Sequence, residues 1–286
     1  MTYLSPVASL DEYLARVRLT RDEWDVPDHK ELWFRAEDEK HLKTHLKPGL
    51  YRPRKDAKRK SVKALLELEN DLYEEFRRCA TQLTDLTLED EEWDSYFLMQ
   101  HHGVPTRLLD WSDGALIALH FAVSGKSAPF ESGSVVHVLD PWWLGDLLRK
   151  HPDRMDAQKR WKKYSRKYPY EFDEDEWERL YLPEDEEDAK HDLLTTPVTP
   201  LLWDSPHVSR RVAAQRSRFM IFGTDPDWLS KRTNNPKCRL FSFSIPTNAI
   251  SGIKQDLRDA GITESVVFPD LDGLGRELRQ LWEGRR

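Results

Sequence analysis

One block of sequence concentrates the residues that could do chemistry. Met99–Ala122 reads MQHHGVPTRLLDWSDGALIALHFA and places polar side chains directly before a strongly apolar helical segment. A helix N-terminus offers free backbone N–H groups to anions, so polar residues gathered there often form the floor of a ligand site. The polar members of this block are Gln100, His101, His102, Thr106, Arg107, Asp110 and Ser112. Alternatively, Arg107 and Asp110 form a structural ion pair and Ser112 serves only as a helix cap.

The adjacent histidines of this block argue against a metal site within it. Neighbouring side chains on a helix point about 100° apart, so His101 and His102 cannot readily bind one ion together. We expect one histidine to be structural and assign His102 to the ligand site. No residue is assigned as a metal ligand.

The composition is typical of a globular cytoplasmic protein. The chain has 286 residues, of which 38% are hydrophobic and 33% charged, with a net charge of −7. No apolar run reaches the roughly 18 residues that a membrane span requires, and the first residues lack the pattern of a signal peptide. Cys79 and Cys238 have no ligand spacing and indicate neither a zinc ribbon nor a disulfide framework. We therefore expect a reducing compartment and no membrane partner.

Two basic stretches leave an anionic partner open. The net negative charge argues against a protein that binds nucleic acid by bulk electrostatics. However, Lys47–Lys63 and Ser209–Arg218 are strongly basic. Each is either a solvated surface or a patch that binds nucleic acid or a phosphate-bearing ligand.

The elements that must position the block follow from the hydrophobic pattern. Helices are predicted at 9–19, 61–84, 88–101, 115–123, 141–151 and 274–282, with Ser9 and Ser61 as N-caps. Residues 246–260 are predicted to form a turn followed by a helix. Strands are predicted at 32–35, 106–111, 133–139, 218–222, 238–245 and 265–268. Because strands and helices alternate irregularly, the pattern favours an α+β fold.

Residues 154–191 are rich in Trp, Tyr and charged residues, and we interpret them as a helical insertion or lid rather than core.

Four blocks of the chain resemble the FRG-domain family. They are LWFRAE at Leu32–Glu37, the Met99–Ala122 block, AAQRSRFMIFG at Ala213–Gly223 and GITESVVFPDLDGLG at Gly261–Gly275. The glycine of the family's Phe-Arg-Gly motif is Ala36 here, a residue less tolerant of close ligand approach. The resemblance implies an FRG domain over 31–280, interrupted at about 154–191 and preceded by an N-terminal helical segment over 1–30.

The resemblance also implies a function. FRG domains look like bacterial proteins of mobile elements, toxin loci and anti-phage defence. Their pattern remotely resembles the arginine–serine–glutamate class of ADP-ribosyltransferases. This implies a mixed, mainly antiparallel sheet core of ADP-ribosyltransferase type with surrounding helices, and NAD as the substrate. The acceptor would be nucleic acid or protein, and a partner protein could inhibit the activity.

Residue roles follow from that remote resemblance. Arg35 and Arg107 would bind NAD phosphate, because an arginine fork matches phosphate oxygens. The pocket for the nicotinamide ribose would be formed by Gln100, His102, Thr106, Asp110 and Ser112. Glu264 would be catalytic, because a carboxylate stabilises the positive charge that develops on the ribose as the nicotinamide leaves.

Each assignment has an alternative. Arg35 could instead pair with Glu37 or Asp38, and Glu264 could be an exposed residue at a strand edge. Asp270 and Asp272 fit a turn, and the Gln215 amide fits a bridge between backbone groups. Two other functions stay open. One is a metal-dependent nuclease built on the acidic run 37–40, with Asp22 or Asp25, and the other is a non-enzymatic module that binds a nucleotide or a partner.

Overall fold

A computed structural model describes residues 3–4, 6–38, 45–53, 58, 60–83, 92–124, 133–183, 192–204, 210–232 and 237–283. The strands are β1 (Tyr3–Leu4), β2 (Trp33–Asp38), β3 (Leu108–Ser112), β4 (Ser134–Leu139), β5 (Leu201–Trp203), β6 (Ser217–Ile221) and β7 (Leu240–Ile245). The helices are α1 (Leu10–Glu23), α2 (Val62–Ala80), α3 (Glu92–His101), α4 (Ala115–Val123), α5 (Pro141–Arg149), α6 (Pro152–Ser165), α7 (Arg210–Ala214), α8 (Ile250–Asp259), α9 (Glu264–Val267) and α10 (Leu271–Glu283).

The strands form one sheet in the order β1-β7-β4-β2-β3-β6-β5. Neighbouring strands pair antiparallel, except that β1 runs parallel to β7. The predicted α+β class with a mainly antiparallel sheet is therefore confirmed.

The sheet is nearly divided between β2 and β3. Six residue pairs join β2 to β4, and five join β3 to β6. By contrast, a single pair, Phe34 with Ser112, joins β2 to β3. The two strands therefore separate beyond this pair, and the backbone and side chains along the opening are available to line a cleft.

Three hydrophobic clusters hold the sheet between helices. One packs α1, α4 and α8 against β2, β4 and β7, through residues such as Tyr13, Leu119 and Phe243. A second joins α3 and α6 to β3 and β6. A third lies around Trp33, Trp111 and Leu144. Because α4 follows β3 directly and packs on β2, it lies beside the opening.

The segment 154–191 is part of the core, which corrects its interpretation as a lid. Along α6, Ala157, Trp161 and Tyr164 fall on one face and are buried. Trp177 and Tyr181 of the following 3-10 helix join them against strands β3 and β6. The aromatic residues are thus spaced for burial, while the charged residues between them keep the other face in water. Residues 184–191 lie outside the described part of the chain.

The local predictions mostly agree with the described elements. Ser9 and Ser61 accept hydrogen bonds from the backbone N–H groups of Glu12 and Ala64, so both predicted N-caps are confirmed. The helix predicted at 88–101 begins at Glu92 within the described residues. The strand predicted at 265–268 is wrong, because Glu264–Val267 forms a helical turn in which Phe268 N donates to the Glu264 carbonyl.

No helix among the described ranges combines the length and the apolar character that crossing a bilayer would need.

Candidate functional site

A cavity of about 370 Å³ opens where β2 and β3 separate. This volume lies within the range of ligand pockets. Its polar lining comes from β2, the segment that follows β2, α3, β3, the segment around α7 and the start of β6. The polar residues lining it are Arg35, Glu37, Arg52, Gln100, His101, Asp110, Ser112, Arg211, Gln215 and Ser217. The structure therefore brings Arg35, Gln100, Asp110 and Ser112 of the sequence prediction to one cavity.

Arg35 spans the opening in the sheet. Its Nη1 donates to the main-chain carbonyl of Asp110 at 2.6 Å, and its Nε donates to Glu37 Oε1 at 3.1 Å. The side chain is 15% exposed. The expected alternative pairing with Glu37 is therefore present, and the guanidinium still lines the cavity.

Glu37 is a buried anionic centre behind Arg35. Its Oε1 accepts from Arg35 and from Arg52 Nη2 at 2.8 Å, and its Oε2 accepts from Leu46 N at 3.1 Å. The same Oε2 lies 3.3 Å from His45 Nδ1 and from His137 Nε2. Burial raises the pKa of the Glu37 carboxyl, but hydrogen bonds from the two histidines and the charge of Arg35 outweigh it and lower the pKa far below its usual value. Glu37 is therefore ionised and fixes both arginines at the cavity.

Gln100 connects a buried threonine to the cavity carboxylate. Thr106 Oγ1 donates to Gln100 Oε1 at 2.6 Å, and Gln100 Nε2 donates to Asp110 Oδ2 at 3.0 Å. Thr106 is buried and does not line the cavity. Its predicted direct contact with ligand is corrected to an indirect role, because it orients the amide that orients the exposed carboxylate of Asp110.

Ser112 lines the cavity and also organises the start of α4. Its Oγ accepts from Gly114 N at 3.0 Å and donates to the Gln215 carbonyl at 2.7 Å. The N-cap of α4 is Gly114, which makes no side-chain cap hydrogen bond. The Gln215 side-chain amide donates to the Val267 carbonyl at 3.2 Å, so it contacts one backbone group, and its predicted bridge between backbone groups stays a prediction.

Arg107 does not reach the cavity, contrary to its predicted role in phosphate binding. Its side chain is 1% exposed and forms an ion pair with Glu69, which is wholly buried. Arg107 Nη2 also donates to the Tyr181 carbonyl at 2.9 Å, and the Tyr96 hydroxyl donates to Glu69 Oε1 at 2.6 Å. The alternative pairing of Arg107 with Asp110 is also wrong. Arg107 therefore fixes α2, α3 and β3 together.

The two histidines exchange roles relative to the prediction. His101 lines the cavity, whereas His102 is exposed and does not. Burial, together with the charges of Arg211 and His102, lowers the pKa of His101 to about 4, although the charge of Asp270 acts to raise it. His101 is therefore neutral at pH 7 and offers the cavity an uncharged ring.

A second cavity of about 400 Å³ adjoins the first, because Phe121 and Arg211 line both. Arg211 is half-buried, and its guanidinium lies 4.8 Å from the centre of the Phe268 ring. Burial lowers the pKa of Arg211, whereas the charges of Asp270 and Asp110 raise it. This arginine presents a partly desolvated positive charge at the junction of the two cavities.

Glu264, the predicted catalytic residue, lies in the second cavity and not in the first. Its Oε1 accepts from Arg276 Nε at 2.6 Å, and its Oε2 lies 3.4 Å from His120 Nε2. Because the carboxylate is paired and 10% exposed, the expectation of an exposed strand-edge residue is wrong. Asp270 accepts from Gly273 N at 2.7 Å at the start of α10, and Asp272 lies in the first turn of that helix, so the predicted turn at these two residues is wrong.

Several cavity residues escaped the sequence prediction. Arg211 falls in the basic stretch 209–218 and Arg52 in the stretch 47–63, but charge alone did not separate them from surface arginines. His45 and His137 carry no local motif, since 92 residues separate them and only the pairing of β2 with β4 brings His137 to Glu37. Residues 39–40 of the acidic run considered for a nuclease lie outside the described residues.

Residues 30–130 match the family model of the FRG domain. This part of the chain is similar to an FRG domain. This match includes β2, α2, α3, β3 and α4, so the FRG region supplies Arg35, Gln100, Asp110 and Ser112 to the cavity. The wall that contains Arg211 and Gln215 lies beyond the matched residues, and the predicted extension of the FRG domain to residue 280 stays a prediction. No curated protein and no solved structure shows significant similarity to the chain.

Proposed function

We propose that this protein is an NAD-dependent ADP-ribosyltransferase-like enzyme. The observation that carries the proposal is the cavity at the opening between β2 and β3, where Arg35 faces a strand bearing Asp110 and Ser112. A cationic side chain beside an exposed carboxylate suits a ligand that combines phosphates with a ribose at which positive charge develops.

The two adjoining cavities suit the two halves of NAD. In this proposal the nicotinamide and its ribose occupy the cavity of about 370 Å³, between Asp110 and Ser112. The pyrophosphate lies at the junction, within reach of Arg211, and the adenosine extends into the cavity of about 400 Å³. Arg211 thereby takes the phosphate-binding role first assigned to the buried Arg107.

Asp110 is the carboxylate best placed for the chemistry. The bond between nicotinamide nitrogen and ribose C1′ breaks, the nicotinamide leaves with the electron pair, and positive charge develops on the ribose. The Asp110 carboxylate stabilises that charge and accepts the proton of an attacking acceptor group. The acceptor then bonds to C1′, giving ADP-ribosylated acceptor, nicotinamide and a proton. Glu264 is less suited to this step, since Arg276 and His120 surround its carboxylate.

The test compares carboxylate variants of the full chain with NAD labelled in the nicotinamide ring. We expect Asp110→Asn to lower the rate of nicotinamide release at least about 100-fold while the Kd for NAD changes little, because the charge acts mainly in the transition state. Asp11→Asn, an exposed aspartate in the first turn of α1, is the matched control. Protein and nucleic-acid fractions serve as acceptors in separate reactions.

Two outcomes would overturn the proposal at different levels. If the wild-type chain neither binds NAD nor releases nicotinamide with any acceptor fraction, the activity is wrong. If Glu264→Gln abolishes release while Asp110→Asn retains it, the catalytic role belongs to Glu264 instead. A role as a bacterial toxin or anti-phage effector would follow from the identity of the modified acceptor.

A further inference from the structure

Three ligand-type side chains converge beneath the cavity. Glu37 on β2 and His137 on β4 lie on adjacent antiparallel strands, and His45 follows β2 along the chain. Their ligand atoms all lie within 4.8 Å of one another. Glu37 is 4% exposed, His45 8% and His137 0%. Two imidazoles and one carboxylate form a donor set that proteins use for zinc and for iron(II).

The two contacts between the histidines and Glu37 are long for hydrogen bonds and also fit the spacing of ligand atoms around an ion. Glu37 Oε2 lies 3.3 Å from both His45 Nδ1 and His137 Nε2. Hydrogen bonds from N–H groups to oxygen are usually about 2.7–3.2 Å long, and Leu46 N meets the same oxygen of Glu37 at 3.1 Å. Ligand atoms about 2.0–2.1 Å from a tetrahedrally coordinated zinc ion lie about 3.3–3.4 Å apart.

We propose that Glu37, His45 and His137 bind one zinc ion. Two imidazoles and one carboxylate are the protein ligands of one known class of zinc site. Three protein ligands leave a fourth position for water or an anion.

The surroundings of the cluster orient its ligands. His137 Nδ1 lies 2.9 Å from Ser242 Oγ on β7, so the ring can donate its second N–H while Nε2 faces the ion. A hydrogen bond of this kind fixes the tautomer and the orientation of a metal-binding histidine. Glu37 divides its two oxygens, with Oε1 on Arg35 and Arg52 and Oε2 facing the histidines. One carboxylate therefore connects the proposed ion to both arginines of the cavity.

The proposed ion would fasten the segment after β2 to the sheet. His45 and Arg52 belong to this segment, which reaches the sheet through Leu46 N and the Glu37 carboxylate. Because Arg35 and Arg52 line the cavity, zinc binding would set the position of both positive charges. The site does not depend on the proposed NAD chemistry, and its tests use readouts other than activity.

The experiment measures zinc bound by the purified full chain. The protein is stripped with a chelator, incubated with zinc chloride, separated from free ion and analysed by mass spectrometry of the metal. We expect about one zinc per chain in the wild type and a rise in melting temperature on zinc addition, because an ion that binds only the folded state stabilises it. Cobalt(II) in the same site should give the intense visible absorption of a tetrahedral complex.

The variants separate this site from zinc bound elsewhere. His45→Gln and His137→Gln should each lose the bound zinc and the thermal shift, and circular dichroism reports whether each remains folded. Ser242→Ala should retain the site with about 10- to 100-fold weaker affinity. His29→Gln changes an exposed histidine and should bind zinc like the wild type. The proposal is overturned if the wild type retains no zinc, if folded His45→Gln retains as much, or if iron(II) or manganese is retained in preference to zinc.

Discussion

The guanidinium of Arg35 reaches across the opening between β2 and β3 and donates a 2.6 Å hydrogen bond to the carbonyl of Asp110. Beyond the Phe34–Ser112 pair, this contact connects the two parts of the sheet directly at the cavity. One side chain thus contacts the strand that carries the proposed catalytic carboxylate and lines the space proposed for NAD. Its replacement should alter both the shape and the charge of the cavity.

Replacing Arg35 by lysine should weaken NAD binding about tenfold or more. Lysine keeps the charge but cannot donate to Glu37 and to the Asp110 carbonyl with one planar group, and it cannot bind phosphate with a fork. Isothermal titration with NAD measures the change in Kd. Arg18→Lys, on the exposed face of α1, provides the control. Unchanged affinity in Arg35→Lys would place the NAD phosphates away from this residue.

The hydroxyl of Thr106 should affect catalysis without touching the ligand. Thr106→Val removes the donor that holds Gln100 Oε1, so the amide would no longer fix Asp110 Oδ2. Loss of one hydrogen bond of this strength predicts a decrease in kcat of about tenfold with little change in KM. Thr106→Ser keeps the hydroxyl and should restore most of the rate. Equal rates of nicotinamide release in both variants would show that the Thr106–Gln100 pair does not position Asp110.

The strands and helices that form the cavity could be predicted where the hydrophobic pattern of neighbouring residues indicates them. The apolar run before Arg35 predicts β2. The short polar segment before residues 115–123 predicts β3, and the apolar residues 115–123 predict α4. Arg35, Gln100, Asp110 and Ser112 line one cavity, while their role in a ligand site stays a prediction. Their common cavity depends on the separation of β2 from β3, which is a property of strand pairing and has no sequence motif.

The other differences between prediction and structure arise from contacts between residues that lie far apart in the sequence. Arg107 looks like a ligand-binding residue in its own block, but its partner Glu69 lies 38 residues earlier on α2. The pair Val266-Val267 favours a strand locally, yet Ser265 N donates to Glu277 on α10 at 2.8 Å and the segment becomes a helical turn. The aromatic residues of 154–191 lie among many charges, so the pattern does not show that they face one core.

The buried pair of Arg107 and Glu69 should dominate the stability of this part of the fold. Removing one partner leaves an unpaired charge in the interior, so Arg107→Met should lower the free energy of unfolding by about 3–5 kcal/mol. Urea denaturation followed by circular dichroism measures the loss. Arg78→Met breaks an exposed pair with Glu75 on the same helix as Glu69 and should have little effect. Comparable losses in the two variants would contradict the structural role of Arg107.

The neutral state of His101 predicts a specific dependence of stability on pH. Its pKa is about 4 in the folded chain, whereas an unfolded histidine titrates near about 6.5. Between these values the unfolded state binds more protons, so the free energy of unfolding should fall as the pH decreases from 6.5 to 4. His101→Gln removes this contribution and should show a shallower decrease over the same window, while His29→Gln, which changes an exposed histidine, should follow the wild type. Urea denaturation at several pH values gives both slopes, and parallel slopes for wild type and His101→Gln would show that His101 protonates equally in both states.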